Sequence, residues 1–354
     1  MKKYVLWALV PFALMVPIIV IANASLFAPT PVGAPKIIAH RGLAQEFDRA
    51  GVGRDTCTAT RIEQPFHRYL ENTREGVLRA QKLGAFYIEV DVAPTADGEI
   101  VLFHDWTLDC RTDGTGPVRE ATLEELKALD IGYGYTADGG KTFPFRSKGV
   151  GQMPTLDEAV RFLPPRTRLM FNFKSDDPAE ADLLAAKLEA AGRDPEENGD
   201  AFYGGAKVTA RVREIYPDAW AWNPGEARQC SEDYVKLGWS GYLPESCRGG
   251  TMVIPLNYQY LYWGWPNRLI ARMEAYGGEI IVTGPYTSGE PNTGLTLPEQ
   301  LSEIPSDFNG YIWVEDTFNI APALNRQASN RSPDEIEAGN AAIARRRAAE
   351  QAAE

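Results

Sequence analysis

Only three histidines occur in this 354-residue chain, His40, His67 and His104, and two of them stand where chemistry is easily built. His40-Arg41-Gly42 directly follows an apolar run at 37–39, and His104-Asp105 directly follows another at 100–103. Imidazole titrates near neutrality, so such a pair can divide proton donation and proton acceptance between its members. Between them lies Glu89-Val90-Asp91, inside the apolar run 86–92. On a strand, residues two apart point to the same side, so both carboxylates face one way. Two carboxylates in an apolar strand are costly unless something positive meets them, either a divalent ion with oxygen ligands or an arginine or lysine.

The elements that must position these groups alternate. Short apolar, β-branched or aromatic runs at 37–39, 86–92, 100–103, 168–173, 201–208, 252–256, 279–282 and 311–314 predict strands. Helical patterns at 73–83, 122–129, 156–162, 178–191, 210–216 and 267–276 lie between many of them. Without a central linker, this alternation predicts a single TIM (β/α)8 barrel, with one further strand possible within 218–248. In that fold the strand ends that lead into helices make the active face, and the two histidines reach it by separate routes.

The motifs His40-Arg41-Gly42, Glu71-Asn72-Thr73, Glu89-x-Asp91, Thr95-x-Asp97-Gly98 and His104-Asp105 stand in the order of the glycerophosphodiester phosphodiesterase family, which the chain therefore resembles. The likeness is strong over 37–169 and looser to Asp316. It implies a barrel of the phosphatidylinositol-phospholipase-C-like type that hydrolyses glycerophosphodiesters to glycerol 3-phosphate and an alcohol. It also implies His40 and His104 as general acid and base, Arg41 on the phosphate, and Glu89 and Asp91 on a divalent cation, Ca2+ or Mg2+. Glu71 is expected at the same rim, as a further ligand or as a partner that orients Arg41. The family's fourth strand typically reads Glu-x-Lys, whereas here Asn172-Phe173-Lys174 keeps the lysine for the phosphate and replaces the carboxylate by an amide. An amide oxygen brings no charge, so metal affinity should fall unless Asp176 or Glu71 compensates. Lysolipid or inositol-lipid cleavage through a cyclic phosphate, and a weakly active barrel that binds head groups, are the rival readings.

With 48 acidic against 36 basic residues and no basic cluster, nucleic acid is not an expected partner. Lys2 and Lys3 precede an apolar run over 4–27, long enough to cross a bilayer and oriented to place the remainder on the periplasmic or extracellular side. Residues 1–28 are thus expected as an anchor, or as a signal peptide cut near Ala22-Asn23-Ala24 with the domain secreted. Residues 29–36 read as a Pro-rich spacer, 37–324 as the barrel and 325–354 as a charged, partly disordered tail. Four cysteines in an exported domain predict disulfides, with Cys57 to Cys110 and Cys230 to Cys247 the preferred pairing. The insertion 43–70 is expected over the site, His67 is expected as a surface histidine, and the aromatic cluster from Tyr258 to Trp265 as packing or as a face for a choline-like cation.

Overall fold

β-Branched and aromatic residues form the strands β1 (Lys36–Ala39), β2 (Tyr87–Pro94), β3 (Ile100–Leu102), β4 (Arg168–Phe173), β5 (Ala201–Tyr203), β6 (Trp220–Trp222), β7 (Thr251–Pro255), β8 (Glu279–Thr283) and β9 (Tyr311–Val314) in a computed structural model. The structure describes residues 15–53, 56–289, 293–325 and 330–353. Eight strands run parallel in the order β6-β5-β4-β2-β1-β9-β8-β7, and β3 alone pairs antiparallel with β2. Trp220 Nε1 donates to Thr251 Oγ1 at 2.9 Å across the last gap, so the barrel is nearly closed. Its interior holds Ile38, Tyr87, Met170, Tyr203, Trp222 and Trp313, while Ile88, Val90, Phe171 and Phe173 face outward to the helices. Because Tyr87 points inward, Glu89 and Asp91 must as well. Three of the helices between strands start on threonine caps: Thr122 and Thr155 form reciprocal boxes with Glu125 and Glu158, and Thr73 accepts from Gly76 N–H at 3.1 Å.

Five expectations need correction. The run at 100–103 is a returning hairpin arm and not a barrel strand; strand β6 completes the eight instead. A three-residue apolar run carries no information about the direction of its partner. The run at 201–208 ends as strand at Tyr203, because Gly204 and Gly205 turn the chain into helix Ala206–Ile215. That helix is capped by Asp176, which accepts from the N–H groups of Lys207 and Val208 at 2.6 and 3.2 Å and so is occupied away from the carboxylate pair. The charged tail forms helix Pro333–Ala353, and its Arg346 is buried, donating to Asp316 Oδ2 at 2.6 Å and to Glu63 Oε2 at 2.8 Å. Two carboxylates converging on one guanidinium hold this helix against the barrel, which a solvated appendage would not allow. His67 is packed against Phe66, Tyr69 and Phe318 with its Nδ1 near Gln45, so it is not a surface group. Burial drives its pKa down to about 4.

Both disulfides form as paired above. The apolar N-terminal run lies partly outside the described residues; residues 15–23 are helical, and no helix among the described residues is long and apolar enough to cross a membrane.

Candidate active site

The chain leaves β1 through two left-handed residues, Arg41 at φ 55° and Gly42 at φ 74°. A Cβ on Gly42 would stand 3.1 Å from the Val77 backbone, so only glycine fits this turn. The turn aims Arg41 N–H at Glu89 Oε2, 2.6 Å away, and lets Arg41 C=O accept from Asn72 N–H at 3.0 Å. His40, Glu71-Asn72-Thr73 and the inward face of β2 are thereby locked into one rim. His104 arrives differently: β3 returns along β2, Phe103 N–H donates to Asp91 C=O at 3.1 Å, and the next residue is delivered to the same rim.

Each histidine has its own carboxylate. His40 Nδ1 lies 2.5 Å from Glu315 Oε2, just past the end of β9, and its ring tilts against Trp313 at 5.4 Å. Glu315 is fixed in turn by Gly294 N–H at 2.8 Å and faces the Arg49 guanidinium at 3.6 Å. His104 Nδ1 lies 2.6 Å from Asp105 Oδ1, and Arg111 bridges Asp105 Oδ2 at 2.8 Å to Glu71 Oε1 at 3.0 Å. Glu71 also accepts from Arg41 Nη1 at 3.1 Å, which makes it the partner that orients Arg41. In both rings the carboxylate at Nδ1 leaves Nε2 for the reacting group.

The two rings are biased in opposite directions. Burial would lower His40, but Glu315 outweighs it and holds the pKa above the usual histidine value. Burial, then Arg41 and Lys174, push His104 down to about 4 even with Asp105 beside it. Asp105, which burial alone would raise, is held at about 2 by Arg111 and His104. Neutral His40 accepts from Arg41 Nε at 3.2 Å through Nε2; a proton on that nitrogen removes this contact and leaves Arg41 to Glu71 and Asp91. The rim thus holds one imidazole that favours its proton and one that sheds it.

The expected metal position is filled by donors. Glu89 Oε1 accepts from Tyr203 OH at 2.7 Å, and its other oxygen is held by Arg41 N–H. Asp91 Oδ1 accepts from Asn172 Nδ2 at 2.8 Å and Lys174 Nζ at 3.1 Å, while Oδ2 accepts from Asn72 Nδ2 at 2.8 Å. An ionised carboxylate only accepts, so both amides must turn their N–H groups to it and their oxygens away. Burial, reinforced by Asp91, raises Glu89, whereas Asp91, which burial would raise, is held well below its usual range by Lys174, His104 and Arg41. Among the described residues no group of three or more His, Cys, Asp or Glu converges as a metal cage. Protein donors therefore meet both carboxylates here, at the place where Glu89, Asp91 and Asn172 are expected to hold a divalent cation.

All eight residues singled out from the sequence meet at this rim: His40, Arg41, Glu71, Glu89, Asp91, His104, Asn172 and Lys174. Glu315, Arg111, Tyr203 and Asn72 went unassigned. A faint signal existed for Glu315, since Glu315-Asp316 directly follows an apolar strand as His40-Arg41 does. Arg111 is tied to the rim by Cys110, whose disulfide to Cys57 also fixes the insertion, where Thr58 Oγ1 accepts from Arg111 Nη2 at 2.9 Å.

Residues 40–191 match the model of the glycerophosphoryl diester phosphodiesterase family. A glycerophosphodiester phosphodiesterase of Caldanaerobacter subterraneus is 52% identical over 94 residues, 26% of this chain and 35% of the relative. One from Bacillus subtilis is 34% identical over 115 residues, 31% of this chain and 38% of the relative. The chain thus spans well under half the length of these curated relatives. The crystal structure of the glycerophosphoryl diester phosphodiesterase domain of an uncharacterized Mycobacterium tuberculosis protein superposes with a TM-score of 0.59 at 19% identity, covering 83% of this chain and 99% of that domain. An Oleispira antarctica phosphodiesterase solved with the product sn-glycerol-3-phosphate gives 0.53 at 19% identity, over 82% of this chain and 97% of that one. At such identities the likeness is one of fold.

Proposed function

We propose that this chain, whose residues 40–191 match the glycerophosphoryl diester phosphodiesterase family model, hydrolyses a glycerophosphodiester to glycerol 3-phosphate and an alcohol, with His104 as general base and His40 as general acid. The observation that carries the assignment is the opposite bias of two carboxylate-held imidazoles beside one arginine. The diester is an anion, and Arg41 and Lys174 offset the charge that grows on its non-bridging oxygens. Neutral His104 takes the proton of the attacking water as its oxygen bonds phosphorus. Protonated His40 gives its proton to the leaving alkoxide as the old P–O bond breaks. Glu315 and Asp105 keep the rings in place and stabilise their charged forms. The family generally depends on a divalent cation, but this donor set supports no step through one.

We infer also that residues 4–27 hold the domain at a membrane on its outer side, a reading supported by the length of the apolar run and by Lys2 and Lys3. The test of function is release of glycerol 3-phosphate from glycerophosphocholine, glycerophosphoethanolamine and glycerophosphoglycerol by the full chain. His40→Ala should lose ~10²- to 10⁴-fold in rate. Full activity in that variant overturns the assignment, and a cyclic phosphate as end product overturns attack by water.

A further inference from the structure

The N-terminal segment does not float free of the barrel. Asn23, only 8% exposed, donates through Nδ2 to Trp239 C=O at 2.8 Å and accepts through Oδ1 from Arg272 Nη1 at 3.0 Å. Ser25 Oγ donates to Gly264 C=O at 2.8 Å, and Arg268 Nη2 donates to Phe27 C=O at 3.0 Å. The segment therefore docks against the flank between helices Pro224–Leu237 and Asn267–Glu274. Val32 C=O accepts from Asn309 Nδ2 at 3.2 Å, so the stretch expected as a spacer is itself tied to the barrel.

Large apolar side chains lie exposed around this joint. Leu26 is 86% exposed and Phe27 62%, and Leu237, Trp239, Tyr242 and Trp263 are each about half as exposed as Leu26. They form one neighbourhood: Trp263 Nε1 donates to Val235 C=O at 3.1 Å, Tyr234 OH donates to Trp263 C=O at 2.7 Å, and Arg272 Nη1 joins Tyr234 OH, Gly238 C=O and Asn23. Tryptophan and tyrosine with a ring in solvent and a polar handle tied to protein are suited to the boundary between head groups and acyl chains. The apolar helical turns at 15–21 emerge from the same spot, with Ile18, Val20 and Ile21 all exposed.

The geometry points to this flank as a bilayer-facing surface, in which Trp239, Trp263, Leu26 and Phe27 enter the lipid interface; the inference rests on the anchor reading above. Its occupant is a lipid surface because the apolar segment that leads to it is continuous with the patch. The placement also orients the catalytic rim. Helix Pro224–Leu237 starts near the C-terminal end of β6 and finishes near the opposite end of the barrel, where β7 begins, so Trp239 lies away from His40 and His104. The site then opens away from the bilayer and takes soluble glycerophosphodiesters in preference to lysolipids embedded in it.

The test uses the full chain reconstituted in phosphatidylcholine and phosphatidylglycerol vesicles that carry brominated acyl chains. Trp7 lies in the apolar run, so the background is Trp7→Phe. Tryptophan emission should be quenched by the brominated lipid in that background, and most of the quenched share should vanish on adding Trp239→Phe and Trp263→Phe, with unchanged turnover of glycerophosphocholine as the control for folding. Turnover of vesicle-borne lysophosphatidylcholine should be at least tenfold below that of glycerophosphocholine. Co-flotation with vesicles without quenching overturns the surface while leaving the anchor, and cross-linking of two copies through this flank overturns the choice of occupant. Failure to float overturns the anchor and the surface together.

Discussion

Glu315→Gln isolates the charge behind the acid role of His40. The amide keeps the shape of the side chain, and its oxygen can still accept from His40 Nδ1–H, so the ring stays in place while the negative charge 2.5 Å away is lost. His40 is buried, and burial alone favours its neutral form; the Glu315 carboxylate reverses that balance. An adjacent opposite charge favours the protonated imidazole, so its loss should drop the His40 pKa, to or below the ordinary histidine value. Sign follows directly: His40 must carry its proton to act, so kcat/KM falls as pH rises through its pKa, and the variant should fall at lower pH. Above both pKa values the loss is ~10- to 10³-fold, equivalent to about 1.4–4 kcal/mol of transition-state stabilisation.

The assay is kcat/KM for glycerophosphocholine from pH 4 to 9 in the parent and the variant. The acid limb, set by deprotonation of His104 near pH 4, should stay where it is. The alkaline limb should move to lower pH, with kcat affected more than KM because the proton is donated in the transition state. A uniform loss at every pH would mean that Glu315 only holds the loop after β9, and an alkaline limb that does not move would refute His40 as the proton donor.

Asn172→Glu places a third carboxylate beside Glu89 and Asp91; it should weaken the metal-free fold and tighten Ca2+ or Mg2+ binding relative to the parent, seen by calorimetry and as a stabilisation of ~2.7 kcal/mol at a hundredfold excess over Kd. Unchanged or weaker affinity would remove residue 172 from any cation site. Replacing both Cys57 and Cys110 by alanine opens a cross-link across 53 residues and should cost about 2–4 kcal/mol in denaturant unfolding together with activity, because Arg111 loses its mooring. The same change at Cys230 and Cys247, 17 residues apart, should cost stability without activity. His67 has a folded pKa of about 4 against 6.5, so the unfolded chain binds its proton first and stability present above pH 6.5 is lost as pH falls toward 4. That contribution is about 3 kcal/mol, and His67→Asn should flatten this part of the stability profile measured by denaturant titration.

What the chain disclosed in advance was what a local stretch can carry. His40-Arg41-Gly42 follows a strand end and Glu89-x-Asp91 shares a strand face; each depends on residues within a few positions, and each appears as expected. What stayed hidden is pairing across the barrel. Glu315 reaches His40 over a separation of 275 residues, and Arg346 reaches Glu63 over 283; nothing in either neighbourhood specifies the partner. The carboxylate pair is the instructive case, because either a metal or protein cations could meet it. In this structure it is met by Asn72, Asn172, Lys174, Tyr203 and the Arg41 backbone, drawn from four separate segments that only closure of the barrel brings together. The same closure sets the two histidines apart: both are imidazoles after apolar runs, but one faces Glu315 and the other sits between Arg41 and Lys174, so their proton affinities separate through neighbours contributed by distant strands. On the proposed mechanism, division of labour between acid and base is therefore a property of the folded rim, and a sequence can mark the two candidates without ranking them.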